Sequence, residues 1–179
     1  MRIVSGEYKG RRLEMPENYD IRPTSEKVKE AIFSIISGNV PDAVCIDLFS
    51  GTGSIGLEAL SRGAAKCYFG DNSKSSLELT KRNIKMCRAE EKSIVISGDF
   101  EKVLSRIGER NEKADIIFLD PPYKMGLYSK CFEIIENLNL LSQEGIIVAE
   151  HDSKDEFEPE IGSFKKLKEK KYGSIGITI

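Results

Sequence analysis

The sequence predicts an α/β protein with a mostly parallel, seven-stranded sheet and helices on both faces. From about residue 43, short apolar runs alternate with longer amphipathic stretches, which is the pattern of βαβ units. Runs such as ADIIFL at 114–119 are apolar throughout, as expected for strands buried on both faces. A glycine-rich turn, SGTGSIG at 50–56, joins a predicted strand to a predicted helix. Together these observations indicate a Rossmann-like architecture.

The predicted elements follow one another along the chain. Apolar runs indicate strands at 43–49, 66–70, 93–97, 114–120 and 145–150. Amphipathic patterns indicate helices at 53–63, 74–87, 100–107 and 127–141. Two further strands, within 163–173 and 174–179, are expected to close one edge of the sheet.

The first forty residues do not follow this alternation. A hairpin-like stretch, RIVSGEYKGRRLEM at 2–15, precedes the tripeptide RPT at 22–24, and a helix is expected to begin there. We therefore expect an N-terminal extension of hairpin and helix at 1–40 and a Rossmann-like domain at 41–179.

Composition narrows the class of protein further. The 179 residues are 40% hydrophobic and 31% charged, which is typical of a soluble globular protein, and no apolar run approaches the roughly 18 residues that cross a bilayer. The first residues, MRIVSGEYKGRR, lack the apolar region of a secretion signal, so a cytoplasmic protein is expected. Four separated cysteines and one histidine, His151, argue against metal sites, disulfide frameworks and histidine triads. We expect a monomer that needs neither a metal nor a membrane.

Two segments are locally basic although the net charge is −2. Residues 165–171, KKLKEKK, are interpreted as an ordinary solvated surface. Lys9, Arg11 and Arg12 form a second cluster, which lies near the RPT tripeptide and is the better candidate for contact with nucleic acid.

The turn SGTGSIG contains Gly51-x-Gly53-x-x-Gly56, the glycine pattern of dinucleotide-binding turns. Glycine lets the backbone approach a ligand and the helix N-terminus offers free N–H groups, so the turn alone suits many nucleotide-like ligands. Asp47 lies upstream and completes Asp47-x-Phe49-x-Gly51-x-Gly53, an order typical of S-adenosylmethionine-dependent methyltransferases. A carboxylate there attracts the cationic methionine end of that cofactor and repels a pyrophosphate. The turn therefore predicts S-adenosylmethionine, with S-adenosylhomocysteine as the product.

Acidic residues also follow the second and third predicted strands. Asp71, next to Asn72, can accept hydrogen bonds from both ribose hydroxyls of an adenosine cofactor. Asp99 and Phe100 occupy the place where methyltransferases commonly hold the adenine. Asp99 is equally suited to cap the helix that follows, and the two roles are compatible.

The tetrapeptide Asp120-Pro121-Pro122-Tyr123 follows the fourth predicted strand and carries the sharpest chemical signal. Two consecutive prolines stiffen a loop at the carboxyl end of a strand, where ligands bind in open α/β sheets. The Asp120 side chain and the Pro121 carbonyl can each accept one N–H bond of an exocyclic base amine and direct its lone pair toward a methyl group. Tyr123 can stack on the base, a contact worth roughly 1–3 kcal/mol. These four residues are predicted to be catalytic.

Four segments together resemble the bacterial 16S rRNA guanine-N2-methyltransferases of the RsmD type, which are class I methyltransferases. The segments are RIVSGEYKGRRL, IRPTSEKVKEAIF, DLFSGTGSIGLEALSRGA and DPPY, and the similarity extends to Tyr172-Gly173. Several amino-methyltransferases share the last motif, whereas the two N-terminal segments are typical of this family.

The resemblance implies methyl transfer to the exocyclic N2 of one guanine in 16S rRNA, within the small ribosomal subunit or an assembly intermediate of it. It implies that residues 1–40 contact the RNA and that residues 41–179 form the methyltransferase domain. The family match assigns Asp47, Gly51 and Gly53 to the methionine end, Asp71 to the ribose, Asp99 and Phe100 to the adenine, Asp120 to Tyr123 to the guanine, Arg22 and Thr24 to the mouth of the site, and Lys9, Arg11 and Arg12 to phosphate. The chain departs from the family at Asp71 and Ser73, where relatives have glutamate and a further acidic residue.

Three alternatives are compatible with parts of this pattern. The same chemistry would serve a DNA adenine-N6 or a protein amide methyltransferase, although aspartate rather than asparagine at position 120 favours RNA guanine. A nicotinamide-dependent oxidoreductase would need a proton donor, which His151 would have to supply. A non-catalytic RNA-binding protein would not need an intact Asp-Pro-Pro-Tyr tetrapeptide.

Overall fold

The computed structural model describes residues 1–17, 25–122 and 125–179, in which strands alternate with helices. The strands are β1 Val44–Asp47, β2 Lys66–Asp71, β3 Ser93–Ser97, β4 Ala114–Leu119, β5 Leu141–Asp152, β6 Glu160–Ile161, β7 Phe164–Lys165, β8 Glu169–Tyr172 and β9 Ile175–Thr178. The helices are α1 Glu26–Ile35, α2 Ser54–Ser61, α3 Lys74–Cys87, α4 Phe100–Gly108 and α5 Met125–Asn137, with short 3-10 turns at Ser37–Asn39 and Glu90–Lys92.

Seven of these strands form one sheet in the order β3-β2-β1-β4-β5-β9-β8. β1 to β5 run parallel to their neighbours, whereas β9 pairs antiparallel with both β5 and β8. The predicted mostly parallel, seven-stranded sheet is confirmed. The strand order reverses at β1, which lies between β2 and β4, and such a switch point opens a crevice at the carboxyl ends of the strands.

Several element boundaries differ from the predicted ones, most clearly at the end of α5 and in the run at 163–173. The pattern at 127–141 predicts a helix through Leu141, but α5 ends at Asn137 and Leu141 begins β5. Asn139 has a left-handed φ of 49°, which ends the helix because the N–H groups that follow turn back onto its last turn. The run at 163–173 forms β7 and then the edge strand β8 rather than one strand, and β7 pairs with β6 outside the main sheet.

Helices cover both faces of the sheet and bury an apolar cluster on each. Val103 and Leu104 from α4 and Phe132 from α5 belong to one cluster. Phe33 from α1 and Leu57 from α2 belong to the other. No helix within the described ranges is long and apolar enough to span a membrane.

Residues 1–14, here called the N-terminal hairpin, form an antiparallel turn closed by a bridge between Arg2 and Arg12. Its apolar side chains are buried in the cluster beneath α1 and α2, and they are Ile3, Tyr8 and Leu13. The predicted extension of hairpin and helix is therefore confirmed, and its core is continuous with that of the sheet. The division into units at 1–40 and 41–179 stays a prediction.

A buried ion pair between Lys29 on α1 and Glu58 on α2 holds the N-terminal hairpin in place. The Lys29 Nζ lies 3.2 Å from a Glu58 carboxylate oxygen, and both side chains are 0% exposed. The two carboxylate oxygens also accept the backbone N–H groups of Val4 and Ser5, at 2.8 and 3.0 Å, and the Arg62 Nε donates to one of them at 2.8 Å. Glu58 therefore supports an ion pair and the hairpin backbone at the same time.

Candidate active site

A cleft of about 510 Å³ lies at the carboxyl ends of β1 to β5. A smaller recess of about 70 Å³ adjoins it, and the two share Phe49, Gly51, Asp120 and Glu150 as walls. The predicted site residues that line the cleft are Phe49, Gly51, Asp71, Asn72, Asp99, Phe100, Asp120, Pro121 and Pro122, and Asp47 lines the recess. Residues from four separate strand ends thus meet at one place.

Each of the three glycines in the turn is suited to its position for a different structural reason. Gly51 has a φ of 53° and open space around the position that a Cβ would take, so a ligand can approach its backbone. Gly53 has a φ of 75° and precedes the first residue of α2, whose N-terminus has no side-chain cap. A Cβ at Gly56 would lie 2.3 Å from the Phe69 ring, so Gly56 permits α2 to pack closely on β2.

Hydrogen bonds from neighbouring elements fix the shape of this turn. The Gly51 N–H donates to the Asp71 Oδ2 at 2.9 Å, and the Gly51 carbonyl accepts the Thr80 hydroxyl at 2.9 Å. The Thr52 carbonyl accepts the Asn83 amide at 2.9 Å. The turn is therefore held in a defined conformation by β2 and α3.

Asp47 is a buried carboxyl at the end of β1. It is 6% exposed, and its Oδ2 accepts the Gly56 N–H at 2.9 Å near the start of α2. The pKa of Asp47 is raised to about 7, chiefly by burial; the Gly56 hydrogen bond opposes the rise and the negative charge of Asp71 adds to it. Such a strongly shifted carboxyl in a cleft is characteristic of functional sites, where it gains a cationic partner on binding.

Asp47 should make the free protein less stable as the pH rises. The unfolded state loses this proton near pH 4 and the folded state near pH 7, so stability falls across that window and stays low above it. We expect Asp47→Asn to remove this pH-dependent loss, so that its free energy of unfolding at pH 8 exceeds that of wild type by roughly 2–4 kcal/mol. The variant should also bind S-adenosylhomocysteine more weakly. Urea denaturation at pH 5 and pH 8 measures the difference, and equal pH-dependent losses in the two proteins would contradict it.

The residues at the end of β2 make hydrogen bonds that support the local structure, and Asp71 also lines the cleft. The Asp71 carboxylate accepts the N–H groups of Gly51 and Ser73, at 2.9 and 2.8 Å, while the residue lines the cleft. Ser73 caps α3, since its hydroxyl accepts the Ser76 N–H. Ser73 therefore has a structural role at the start of α3.

Asp99 caps α4, since its Oδ1 accepts the Lys102 N–H at 2.9 Å. The predicted capping role of Asp99 is thus observed. Asp99 also lines the cleft together with Phe100. The Phe100 ring lies 6.2 Å from the ring of Phe49, centroid to centroid, and the two are tilted by 39°. This aromatic pair forms an apolar wall that suits a planar base.

Asp120, Pro121 and Pro122 line the cleft directly after the end of β4. Asp120 is accessible from the cleft, while its surroundings of protein atoms reduce the solvation of its carboxyl group. That desolvation, together with the negative charges of Glu150 and Asp47, raises the pKa of Asp120 well above its ordinary value. The site therefore groups carboxyl groups whose ionised form is disfavoured in the free protein and would be stabilised by a bound cation.

Glu150 and Ser50 line the site although the sequence motifs did not single them out. Glu150 lies near the end of β5 and borders both the cleft and the recess. The sequence could have indicated Glu150, because it lies at the carboxyl end of a predicted parallel strand, where ligands bind in open α/β sheets. The buried Ser50 Oγ faces the recess and has no hydrogen-bond partner among the residues that the structure describes.

The basic cluster lies on the N-terminal hairpin and does not line the cleft. Lys9 and Arg12 are exposed. Arg11 is held by the protein, since its Nη1 donates to the Met86 carbonyl at 2.9 Å and its guanidinium lies 5.2 Å from the centre of the Tyr8 ring. Predicted roles for Arg22, Thr24 and Tyr123 fall outside the described residues and stay predictions.

Another cavity, of about 390 Å³, lies between α5, β5 and the hairpin of β6 and β7. None of the predicted site residues lines it. Across the described parts of the chain, no three His, Cys, Asp or Glu side chains are grouped so that they could hold a metal ion.

This strand order, with a glycine turn after β1 and carboxylates around the cleft, defines a Rossmann-like class I methyltransferase. A solved structure from Escherichia coli, titled as a candidate methyltransferase yhhF, covers 99% of this chain and 95% of its own at 28% identity, with a TM-score of 0.87.

The particular family is the one described as Conserved hypothetical protein 95, whose profile matches residues 1–179, and the chain belongs to it. YlbH from Bacillus subtilis (strain 168), named as a candidate rRNA methyltransferase, is 36% identical over 179 residues, which are 100% of this chain and 97% of YlbH. Ribosomal RNA small subunit methyltransferase D from Escherichia coli (strain K12) is 30% identical over 152 residues, which are 85% of this chain and 75% of that protein. The predicted resemblance to RsmD-type methyltransferases is confirmed.

S-adenosylmethionine is the methyl donor of this class, and the cleft fits it. The open backbone at Gly51 allows close approach, the buried Ser50 hydroxyl offers a hydrogen-bonding group, and the aromatic pair offers a wall for the adenine. The carboxyl groups of Asp47 and Asp120, whose ionisation a cation would favour, suit a sulfonium and an ammonium group rather than a pyrophosphate.

Proposed function

We propose that this protein transfers a methyl group to the exocyclic N2 of a guanine in 16S rRNA, within the small ribosomal subunit or an assembly intermediate of it. The observation that carries the proposal is the placement of Asp120-Pro121-Pro122 at the end of β4, in the same cleft as Asp47 and the glycine turn. The names of the relatives support the substrate class, since YlbH is named for rRNA and the Escherichia coli relative for ribosomal RNA of the small subunit. Such a substrate places the protein in the cytoplasm.

The donor side of the site is assigned from the residues that line the cleft and the recess. Bound S-adenosylmethionine supplies an electrophilic methyl group on a sulfonium. We assign Asp47 and the backbone at Gly51 and Gly53 to its methionine end, and Asp71 with Asn72 to its ribose. Phe49, Asp99 and Phe100 would border its adenine, where the two rings form an apolar wall.

The acceptor side uses Asp120 and the carbonyl of Pro121. A guanine N2 amine is a poor nucleophile because its lone pair is delocalised into the ring. If each of its N–H bonds is accepted by one of these oxygens, the nitrogen is fixed and its lone pair points toward the methyl group. The methyl carbon would exchange its bond to sulfur for a bond to nitrogen, which leaves S-adenosylhomocysteine. The nitrogen would then have to lose a proton, and Asp120 is a stronger base than an ordinary aspartate because its pKa is raised.

The flipped base would also need a surface on which to rest. Tyr123 follows the two prolines and is assigned to stacking on the guanine, while Arg22 and Thr24 are assigned to the mouth of the site. A base that leaves its stack costs a few kcal/mol, and aromatic stacking offsets roughly 1–3 kcal/mol of that cost. Shape recognition of the folded RNA would then choose the nucleotide.

The test is methyl transfer from labelled S-adenosylmethionine to purified small ribosomal subunits that lack this modification. We expect label in 16S rRNA, at N2 of a single guanine after nuclease digestion and mass analysis. Double-stranded DNA and protein fractions serve as competing substrates in the same assay. Label in DNA adenine or in protein, with none in RNA, would replace the proposal with one of those activities.

Lys9 and Arg12 are expected to contact RNA phosphate, which gives a salt-dependent contribution to binding. We expect Lys9→Gln/Arg12→Gln to weaken binding to small subunits and to reduce the slope of log K against log salt by about 0.7–0.9 for each lost contact. Arg11 is left intact because it is held by Met86 and Tyr8.

The matched control for this pair removes two exposed charges from the other face of the sheet, Arg106 on α4 and Lys130 on α5. Filter binding from 50 to 200 mM salt compares the three proteins. Equal slopes of log K against log salt for all three proteins would show that Lys9 and Arg12 do not contact RNA phosphate.

A further inference from the structure

Asn83 on α3 joins two backbone segments that lie far apart in the sequence. Its Nδ2 donates to the Thr52 carbonyl at 2.9 Å and to the Glu14 carbonyl at 3.1 Å. Its Oδ1 accepts the Glu14 N–H at 2.7 Å. The side chain is 0% exposed, so one buried amide binds the glycine turn and the N-terminal hairpin together.

Lys29 makes a second connection on the other side of Gly53. Its Nζ donates to the carbonyl of Arg2 at 2.8 Å and to the hydroxyl of Ser54 at 3.0 Å. Thr52 and Ser54, the two neighbours of Gly53, are therefore each tied to the hairpin by a buried polar side chain. Each connection passes through a single side chain, so no longer chain of residues is required to link the two segments.

We propose that Asn83 is a positioning residue that couples cofactor binding at the glycine turn to the docking of the N-terminal hairpin. A cofactor that orders the turn fixes the Thr52 carbonyl, and the buried Asn83 amide then holds Glu14 more firmly. The coupling is reciprocal, because two binding events linked through one structure must affect each other by the same factor. If the hairpin holds RNA, which rests on the proposed function, bound RNA would in turn strengthen cofactor binding.

The chemistry of a buried amide explains why the coupling would be strong. Both N–H donors of the Asn83 amide and one lone pair of its oxygen are used, and a buried polar group that loses a partner is costly. If the turn shifted at Thr52, the buried Asn83 amide would lose a hydrogen bond, which costs free energy. The turn and the hairpin therefore favour one shared geometry. Water would not compensate, because the side chain is inaccessible to solvent.

Amide hydrogen exchange of the wild-type protein tests the coupling without any variant. The hairpin amides of Val4, Ser5, Tyr8 and Glu14 donate hydrogen bonds to side chains on α2 and α3, so their exchange reports the docking of the hairpin. We expect S-adenosylhomocysteine to slow their exchange as well as that of the glycine turn. Slower exchange confined to the turn and the cleft would overturn the proposal.

Two variants separate positioning from general stability. Asn83→Asp keeps the size of the side chain but faces the Thr52 and Glu14 carbonyls with an acceptor. Ser61→Ala is the matched control, because the buried Ser61 hydroxyl also anchors the hairpin, through the Tyr8 N–H at 2.9 Å and the Ser5 carbonyl at 2.5 Å, yet lies at the far end of α2 from the turn. Both variants should lower the melting temperature.

Only Asn83→Asp should weaken S-adenosylhomocysteine binding in calorimetry, about five- to tenfold, and abolish the slower exchange of the hairpin. Equal affinities for Asn83→Asp and Ser61→Ala would overturn the positioning role. Asn83→Ala, which removes the amide without repulsion, replaces the aspartate variant if that protein does not fold. None of these measurements uses RNA, so a failure of RNA methylation would leave their outcome unchanged.

Discussion

Asp120→Ala should lose methyl transfer while it keeps cofactor binding. We expect kcat to fall about 10²- to 10³-fold, the effect of removing one positioned hydrogen-bonding group from an active site. The dissociation constant for S-adenosylhomocysteine should stay close to wild type, because Asp47 and the glycine turn supply the assigned methionine contacts. Single-turnover transfer to small subunits and calorimetry measure the two quantities. Lost cofactor binding with unchanged single-turnover chemistry would show that Asp120 belongs to the donor side.

Asp120→Asn is the matched control, because it keeps an acceptor oxygen of the same shape and removes only the ionisable group. The raised pKa of Asp120 means that wild-type kcat/KM should increase as the pH rises through that pKa, since the protonated form is a poor acceptor and cannot take the proton. The asparagine variant should retain intermediate activity and lack this rise. A wild-type pH profile reproduced by the variant would assign the titration to another group.

Glu58→Ala should be the most destabilising single substitution considered for this protein. It leaves the Lys29 charge buried without its carboxylate and removes the acceptor of the Val4 and Ser5 N–H groups. Breaking a buried ion pair by removing one partner costs about 3–5 kcal/mol, and we expect a loss in that range in urea denaturation. Hydrogen exchange at Val4 and Ser5 should accelerate, which places the damage at the N-terminal hairpin.

Two comparisons make the Glu58 prediction specific. Glu78→Ala breaks an exposed pair with Lys81 on α3 and should leave the melting temperature almost unchanged, because solvent screens both groups. Lys29→Met/Glu58→Met removes both buried charges and should be less destabilised than Glu58→Ala alone. A Glu58→Ala protein as stable as Glu78→Ala would show that the pair contributes little.

The order of strands and helices could be predicted because it depends on local patterns. An apolar run such as 114–119 shows its burial within a few residues, and a glycine turn followed by an amphipathic stretch shows a helix start. The same applies to Asp47, Asp71, Asp99 and Asp120, since each lies at the end of a predicted strand. Parallel strands bring such ends to one edge, so their assembly into one cleft followed from the topology.

Other features depend on partners that are far apart in the sequence, and no local pattern shows them. Asn83 meets Glu14 across 69 positions, and Glu58 meets Val4 across 54. In the sequence, Arg11 and Arg12 look equally available for RNA. Only the tertiary structure shows that the Arg11 side chain donates a hydrogen bond to the Met86 carbonyl. The end of α5 was misplaced because the apolar Leu141 continues the helical pattern, while Asn139 turns the backbone away from it.

The sequence by itself determined the class of this protein: its periodicity required a Rossmann-like sheet, and the carboxylate before the glycine turn with the proline pair after β4 pointed to methyl transfer. The tertiary structure decided how the parts cooperate. It brought Glu150 beside Asp120, buried Asp47 so that its pKa is raised to about 7, and tied the N-terminal hairpin to the glycine turn through Asn83. The reason is physical, because burial and hydrogen bonding between distant segments arise only when the chain has folded.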